Sequence, residues 1–167
     1  GSYPLRRSFY LAYSVRLSDL EQDFLTYVTG AGQELVGKSF GAVAKADRFL
    51  SNQAAGELKI VGSTSVAPLM SELAAAYEGI NTHADISVVP SNSADGLTRT
   101  MQGECDFGMA SRELKDYEKE LLNYRLIAND DIVVIVNKDN PLTNITLEQL
   151  KGIYTGELAG WQELSGK

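Results

Sequence analysis

Three short apolar runs separated by two segments of helical period occupy the middle of the chain, and that alternation restricts the fold more than any other feature. Leu58 to Val61, Ile86 to Val89 and Phe107 to Met109 read as strands, while Ala67 to Tyr77 and Asp95 to Met101 place apolar side chains at helical spacing. Strands joined by helical crossovers run parallel, and a parallel sheet is covered on both faces. The order βαβαβ therefore predicts an α/β domain with a mostly parallel sheet flanked by helices.

The flanking segments read in the same terms. Ser8 to Ser14 is an aromatic-rich strand candidate. Ser18 then offers an N-cap with Asp19 and Glu21 behind it, and Leu20, Phe24, Leu25 and Val28 recur at helical spacing until Gly30 and Gly32. Residues 5–50 are expected to pack on the sheet of residues 57–136, of the same chain or of a swapped neighbour, because the helix from Leu20 to Val28 has no other apolar surface to cover. Gln33 to Lys38 offers a second short helix, and Ala42 to Ala55 reads as a connector. Beyond the alternating region, Leu114 to Leu122 reads as a charged surface helix and Asp131 to Val136, a β-branched run, as a buried strand. Thr146 caps a helix reaching about Ile153, and the Gly-punctuated tail carries Trp161. Trp161 and Tyr154 read as packing or surface aromatics.

Composition excludes several classes of function. The chain has 167 residues, 44% hydrophobic and 22% charged, enough to bury a core without a metal or disulfide staple. Its one cysteine, Cys105, excludes an internal disulfide and reads as a small core residue. A net charge of −7 argues against a nucleic-acid footprint or attraction to anionic lipid, so an anionic ligand must be held by local groups. The apolar run Ile132 to Val136 is far short of the ~20 residues that span a bilayer, and no signal peptide opens the sequence, so a mature or excised soluble segment is expected. The sole histidine, His83, lies in a turn-like Asn-Thr-His and reads as a solvated loop residue. With no Gly-x-Ser-x-Gly elbow and no second histidine, a serine hydrolase is not expected.

Chemistry concentrates in three loops. Gly62-Ser63-Thr64-Ser65-Val66-Ala67-Pro68 follows a strand and opens a helix, the layout in which hydroxyls and unpaired N–H groups converge on the positive end of a helix dipole. The same serines also suit plain helix capping. Pro90-Ser91-Asn92-Ser93-Ala94-Asp95-Gly96 follows the next strand, and by sheet topology its helix N-terminus belongs at the same carboxyl edge. Gly108-Met109-Ala110-Ser111-Arg112 follows the third strand and brings a guanidinium shaped for bidentate contact with an oxyanion.

Taken in order, GELKIVGSTSVAPLMSELAAAYE, SNSADGL, DFGMASRELKDYE and DDIVVIVNKDNPLTNITLEQLKGIYTGELAGWQEL resemble the amino-terminal half of the phosphate-binding proteins of phosphate ABC transporters. The opening YPLRRSFYLAYS and LEQDFLTYVTGAGQELVGKSFGAV resemble that family's carboxyl-terminal end, so the order is permuted. The resemblance implies a periplasmic-binding-protein-like lobe. Residues 1–55 would form the hinge strand and closing helices, and residues 56–167 the amino-terminal lobe, its hinge strand and the start of a second lobe, together one compact α/β domain. Most of the second lobe, with its arginine and Ser-Gly-Thr loop, has no counterpart. The chain is then either a segment across the junction of two tandem copies or a circular permutation of about one lobe with its hinge.

Carried over residue by residue, the resemblance assigns ligand binding to Thr64 and Ser65 in the first loop, beside Ser63, and to Ser93 in the second. The third loop departs from the family pattern. Where the best-known members have an acid that accepts the proton of hydrogen phosphate, this chain has Ser111 and Arg112, and Asp95 is a candidate acceptor at a shifted position. The implied function is non-enzymatic binding of inorganic phosphate, without a cofactor, by an extracytoplasmic receptor that serves a membrane permease. Sulfate or molybdate binding and an assembly role without an anion stay open, and self-association or domain swapping is expected from an incomplete cleft.

Overall fold

The computed structural model describes residues 5–140 and 144–158, so Trp161 and the end of the tail lie outside the described residues. Two compact units emerge, Arg6–Asp131 on the one hand and Gly1–Leu5 with Ile132–Lys167 on the other. The first contains a five-stranded sheet of order β3-β2-β4-β1-β5, from β1 (Arg6–Tyr13), β2 (Gly56–Ser63), β3 (Ala84–Ser91), β4 (Phe107–Ala110) and β5 (Asn123–Asp131). β2 pairs in parallel with β3 and with β4, whereas β1 lies antiparallel between β4 and β5. Four strands thus share one direction and β1 opposes them, which is the mostly parallel sheet expected from the alternation.

Strand periodicity sorts the side chains of β1 onto two faces. Phe9, Leu11 and Tyr13 enter one core, which also takes Leu58 and Ile60 of β2 and Phe107 and Met109 of β4. Helices α1 (Asp19–Thr29), α2 (Gln33–Ser39) and α3 (Ala67–Ile80) supply Leu20, Phe24, Leu25, Val28, Val36, Leu69, Met70, Leu73 and Tyr77 to the same cluster. On the other face Ala12 and Ala110 meet Leu97 of α4 (Ser93–Met101), with Leu114 and Leu122 at the two ends of α5 (Asp116–Leu121). The apolar face of the opening helix therefore covers the sheet of its own chain. Its start is fixed as the sequence suggests: Ser18 Oγ accepts from the Glu21 amide at 3.2 Å and Glu21 accepts from the Ser18 amide at 2.6 Å, a reciprocal capping box.

The run Asp131 to Val136 departs from expectation. The fifth strand is the polar Asn123–Asp131 instead, and residues 132–136 are irregular, with Ile135 90% exposed. The cause is register: Arg6 pairs with Asp131 and Tyr13 with Asn123, so β5 uses the whole length of β1 and the β-branched run begins beyond its partner's end. In the second unit the Ile132 amide donates to the Leu5 carbonyl at 3.0 Å. There, α6 (Leu147–Thr155) starts at a Thr146–Gln149 capping box and ends at Gly156, whose left-handed φ of 78° suits glycine, while Tyr154 is 83% exposed. Among the described residues no helix is long and apolar enough to cross a membrane.

A buried acid ties the Ala42 to Ala55 connector to the core. Asp23 of α1 accepts from Ser51 Oγ at 2.7 Å, the Asn52 amide at 3.0 Å and the Tyr77 hydroxyl at 2.7 Å. Burial above all raises the Tyr77 phenol above its ordinary range, so it remains a donor at neutral pH. Asp23→Ala should leave these donors without their acceptor and lower unfolding stability by about 3 kcal/mol, the range for buried groups stripped of a charged partner. Urea denaturation checks this, and a loss below about 0.5 kcal/mol would show the tether to be dispensable.

Candidate functional site

Because β2, β3 and β4 are parallel, the loops that leave them open at one edge of the sheet. Two close approaches narrow that edge. Gly62 of β2 has φ 142°, and a Cβ there would sit 2.3 Å from the Met109 carbonyl oxygen. A Cβ on Gly96 of α4 would lie 2.5 Å from the Val61 carbonyl oxygen, so α4 rests on the strand backbone at a distance only glycine permits. The first turn of α4 is thereby brought against the ends of β2 and β4.

The three loops meet through their serines. Ser63 Oγ, 4% exposed, donates to Ser111 Oγ at 2.9 Å, and the Ser111 amide donates to Ser93 Oγ at 3.1 Å. The Ser65 amide donates to Ser63 Oγ at 3.3 Å. Four of the residues expected at the site thus form one hydrogen-bonded cluster. Thr64 is exposed at the lip of the first loop, and Asp95 is half-buried in the first turn of α4.

Capping does not account for these hydroxyls. The N-cap of α3 is Val66, which carries no side-chain capping bond, and Pro68 sits in its first turn. For α4 the cap is Asn92, whose side chain accepts from the Asp95 amide at 2.9 Å, which leaves Ser93 as the first helical residue with its hydroxyl turned to Ser111.

Arg112 has another partner. Its two terminal nitrogens donate to the two carboxylate oxygens of Glu118, each at 2.8 Å, and one of them also reaches the Glu113 carbonyl at 2.8 Å. Glu118 is 1% exposed and also accepts from the Lys115 amide at 2.7 Å. The Arg112 hydrogen bonds, aided by the Lys115 amide, outweigh burial and hold its carboxyl down at about 2. In this arrangement the guanidinium fixes the third loop to α5.

The sequence reading missed the guanidinium that does touch the cluster. Arg7, near the amino end of β1, donates from Nη1 to Ser65 Oγ at 3.1 Å and from Nη2 to Asp130 Oδ2 at 2.5 Å. It arrives there because β1 is antiparallel: its beginning lies beside the carboxyl ends of the other strands, and the register sets Arg7 opposite Asp130. Only the pairing of β1 with β5 signals this, and the polar β5 is hard to see in the sequence. His83 is exposed in its turn, with its amide on Asn81 Oδ1 at 3.1 Å, and Cys105 is buried, its thiol pushed up chiefly by burial.

A family model of the PBP superfamily domain matches residues 49–167. The chain belongs to that superfamily. "Phosphate-binding protein PstS 2" of Streptococcus pneumoniae serotype 4 is 36% identical over 167 residues, which is 98% of this chain and 57% of the relative. The crystal structure of a phosphate ABC transporter phosphate-binding protein from S. pneumoniae TIGR4 superposes with a TM-score of 0.87 at 36% identity, covering 96% of this chain and 64% of that one. A structure described as a phosphate ABC transporter substrate-binding protein with bound phosphate, from Clostridium perfringens, gives a TM-score of 0.52 at 32% identity over 67% of this chain and 46% of that one. The chain therefore spans little more than half the length of PstS 2. Because one match runs through nearly the whole chain, the order of segments here, with the opening strand β1 ahead of the serine loops, is also that of the S. pneumoniae relative.

The Arg112–Glu118 pair makes stability depend on acid. A carboxyl with an ordinary value of 4.5, held down at about 2 when folded, stabilises the fold fully above about pH 4.5 and loses that contribution as pH falls toward 2, on the order of 3 kcal/mol in all. Glu118→Gln should flatten the stability profile across that window. Urea midpoints at intervals from pH 5 to pH 2 check it, and parallel profiles for the two proteins would refute it.

Proposed function

We propose that the three serine loops bind inorganic phosphate and that this chain is part of the substrate-binding protein of a phosphate ABC importer, working outside the cytoplasmic membrane and delivering its ligand to a membrane permease. The observation that carries the reading is the convergence of Ser63, Ser65, Ser93 and Ser111 at the starts of α3 and α4, where hydroxyls and amides gather at the positive ends of two helix dipoles. The names of the relatives agree with it. Binding of this kind requires no cofactor, and an exposed His83 outside the cluster offers no base for catalysis.

Within this reading Ser63, Thr64, Ser65, Ser93 and Ser111 are ligand-binding residues and Asp95 is an acceptor for a protonated oxygen. Arg112 serves the site by fixing the loop that carries Ser111. Residues 1–55 act as hinge strand and closing helices, and residues 56–167 as the ligand-bearing lobe with the start of the next. Sulfate and molybdate share the tetrahedral or oxyanion chemistry and are the rival ligands; a module that serves only for contacts, including self-association, would bind none of them.

Ser93→Ala should weaken phosphate binding by about 1 kcal/mol or somewhat more, as expected for one hydrogen bond to a charged group. Calorimetric titration with phosphate and then sulfate checks both the residue and the anion, and equal affinity in the variant would remove the second loop from the site. A two-lobed receptor surrounds its anion and strengthens each contact by excluding water. The 167-residue chain by itself should therefore bind phosphate at least ~100-fold more weakly than an enclosing receptor, the equivalent of about 3 kcal/mol. Submicromolar binding by the monomer would overturn that expectation.

A further inference from the structure

The serine cluster is made of neutral groups, yet its expected ligand is an anion. Of the arginines near the loops, Arg112 has both terminal nitrogens on Glu118. Arg7 is different. Its hydrogen bond to Ser65 makes it a member of the chain of contacts that runs Arg7–Ser65–Ser63–Ser111–Ser93 across all three loops.

A guanidinium carries five N–H donors in a rigid fork. Asp130 and Ser65 take one bond from each terminal nitrogen, while Nε is buried without a hydrogen-bond partner. The fork is thus under-used, although its side chain is 37% exposed and lies at the edge where the loops open. Its carbon sits 5.4 Å from the centre of the Phe9 ring, a contact that limits where the plane can turn. Asp130, 25% exposed, anchors one end of the fork from the neighbouring strand. A group that served only to pin β1 to β5 would need the bond to Asp130 but not the one to Ser65.

We propose that Arg7 is a binding residue of the serine-loop site, where it supplies the positive charge for the oxyanion, and that Asp130 is the residue that positions it. This rests on the oxyanion reading of the loops and goes beyond it in naming the cation. On arrival, the anion takes the place of Ser65 as acceptor on Nη1 and gains the remaining donors of the fork, while the bond to Asp130 keeps the guanidinium from following it into solvent. A phosphate oxygen is a stronger acceptor than a serine hydroxyl, so the exchange favours the ligand.

The test is an NMR titration of the 167-residue chain with inorganic phosphate at fixed ionic strength, with chloride as control, following the Arg7 Nε–H signal and the Ser65 and Ser93 amides. The three signals should move together with one dissociation constant. Arg7→Gln should weaken the response at Ser65 and Ser93 by roughly 10- to 100-fold, the range for a charge-assisted bond, with Arg7→Lys recovering part of the loss. Asp130→Asn should shift the Arg7 Nε–H signal toward that of solvated arginines before any phosphate is added, a change that a purely structural role at a distance from Arg7 would not produce. If phosphate moves the serine amides but leaves the Arg7 signal still, Arg7 is no ligand and the oxyanion reading stands. If no signal responds to tens of millimolar phosphate, both fall. Should Arg7→Gln fail to fold, the Nε–H signal of the unsubstituted chain decides by itself.

Discussion

The insertion of β1 between β4 and β5 is the constraint on which the remainder of the structure rests. β4 has four residues and meets β2 over only three pairs, so by itself it is a short link in the sheet. β1 pairs with four residues of β4 on one side and lines up eight pairs with β5 on the other. A strand from the first thirteen residues thereby joins elements about a hundred positions away along the chain. It also decides the chemistry at the edge, because its opposite direction carries Arg7 to the end of the sheet where the serine loops open.

The two faces of that sheet are built differently. On the side of α1, α2 and α3, large rings interlock: Phe24 lies 5.2 Å from Tyr77 and 5.8 Å from Phe107, centre to centre, both edge-on. On the side of α4 the packing is of backbone on backbone, since Gly96 and Gly108 leave no room for a Cβ between helix and strands, while a Cβ on Gly62 would strike the Met109 backbone of the neighbouring strand. Aromatic bulk on one face gives the lobe its cohesion, and closeness on the other gives the loops their short serine-to-serine distances. The two are complementary, because a helix held that near a sheet by weak contacts alone would need a firm support behind it.

What was legible in the sequence follows from these mechanisms. The central alternation, the capping residues Ser18 and Thr146 and the glycine punctuation all act over a few residues, and each led to the right element. Ser63, Ser93 and Ser111 were legible for a related reason, since parallel topology places successive loops on one edge. The exchange of 131–136 for 123–131 was not, because Asn123–Asp131 has few apolar residues and becomes a strand through its partner β1, whereas Ile132–Val136 has the composition of a strand without the partner. That Arg7 touches the serine cluster while Arg112 pairs with Glu118 was illegible for the same reason. Which guanidinium reaches a loop depends on carboxylates, Glu118 and Asp130, whose positions only the folded chain fixes.

The acidic balance of the chain bears on how an anion is held at all. A net charge of −7 opposes an approaching anion, but at physiological salt that field decays over about 8 Å, whereas each charge-assisted hydrogen bond acts at contact and contributes about 1.5–3 kcal/mol. Contacts therefore outweigh the distant charge wherever several donors converge. An isolated arginine in the part-buried edge would be costly to desolvate, and an isolated aspartate equally so. Paired, they form a neutral unit that the fold tolerates with or without a ligand, while the directional N–H groups of the fork stay aimed at the loops. A site of hydroxyls, amides and one compensated guanidinium would thus suit a chain of acidic net charge, because the proposed attraction for an oxyanion would come from short directed bonds and hardly at all from net charge.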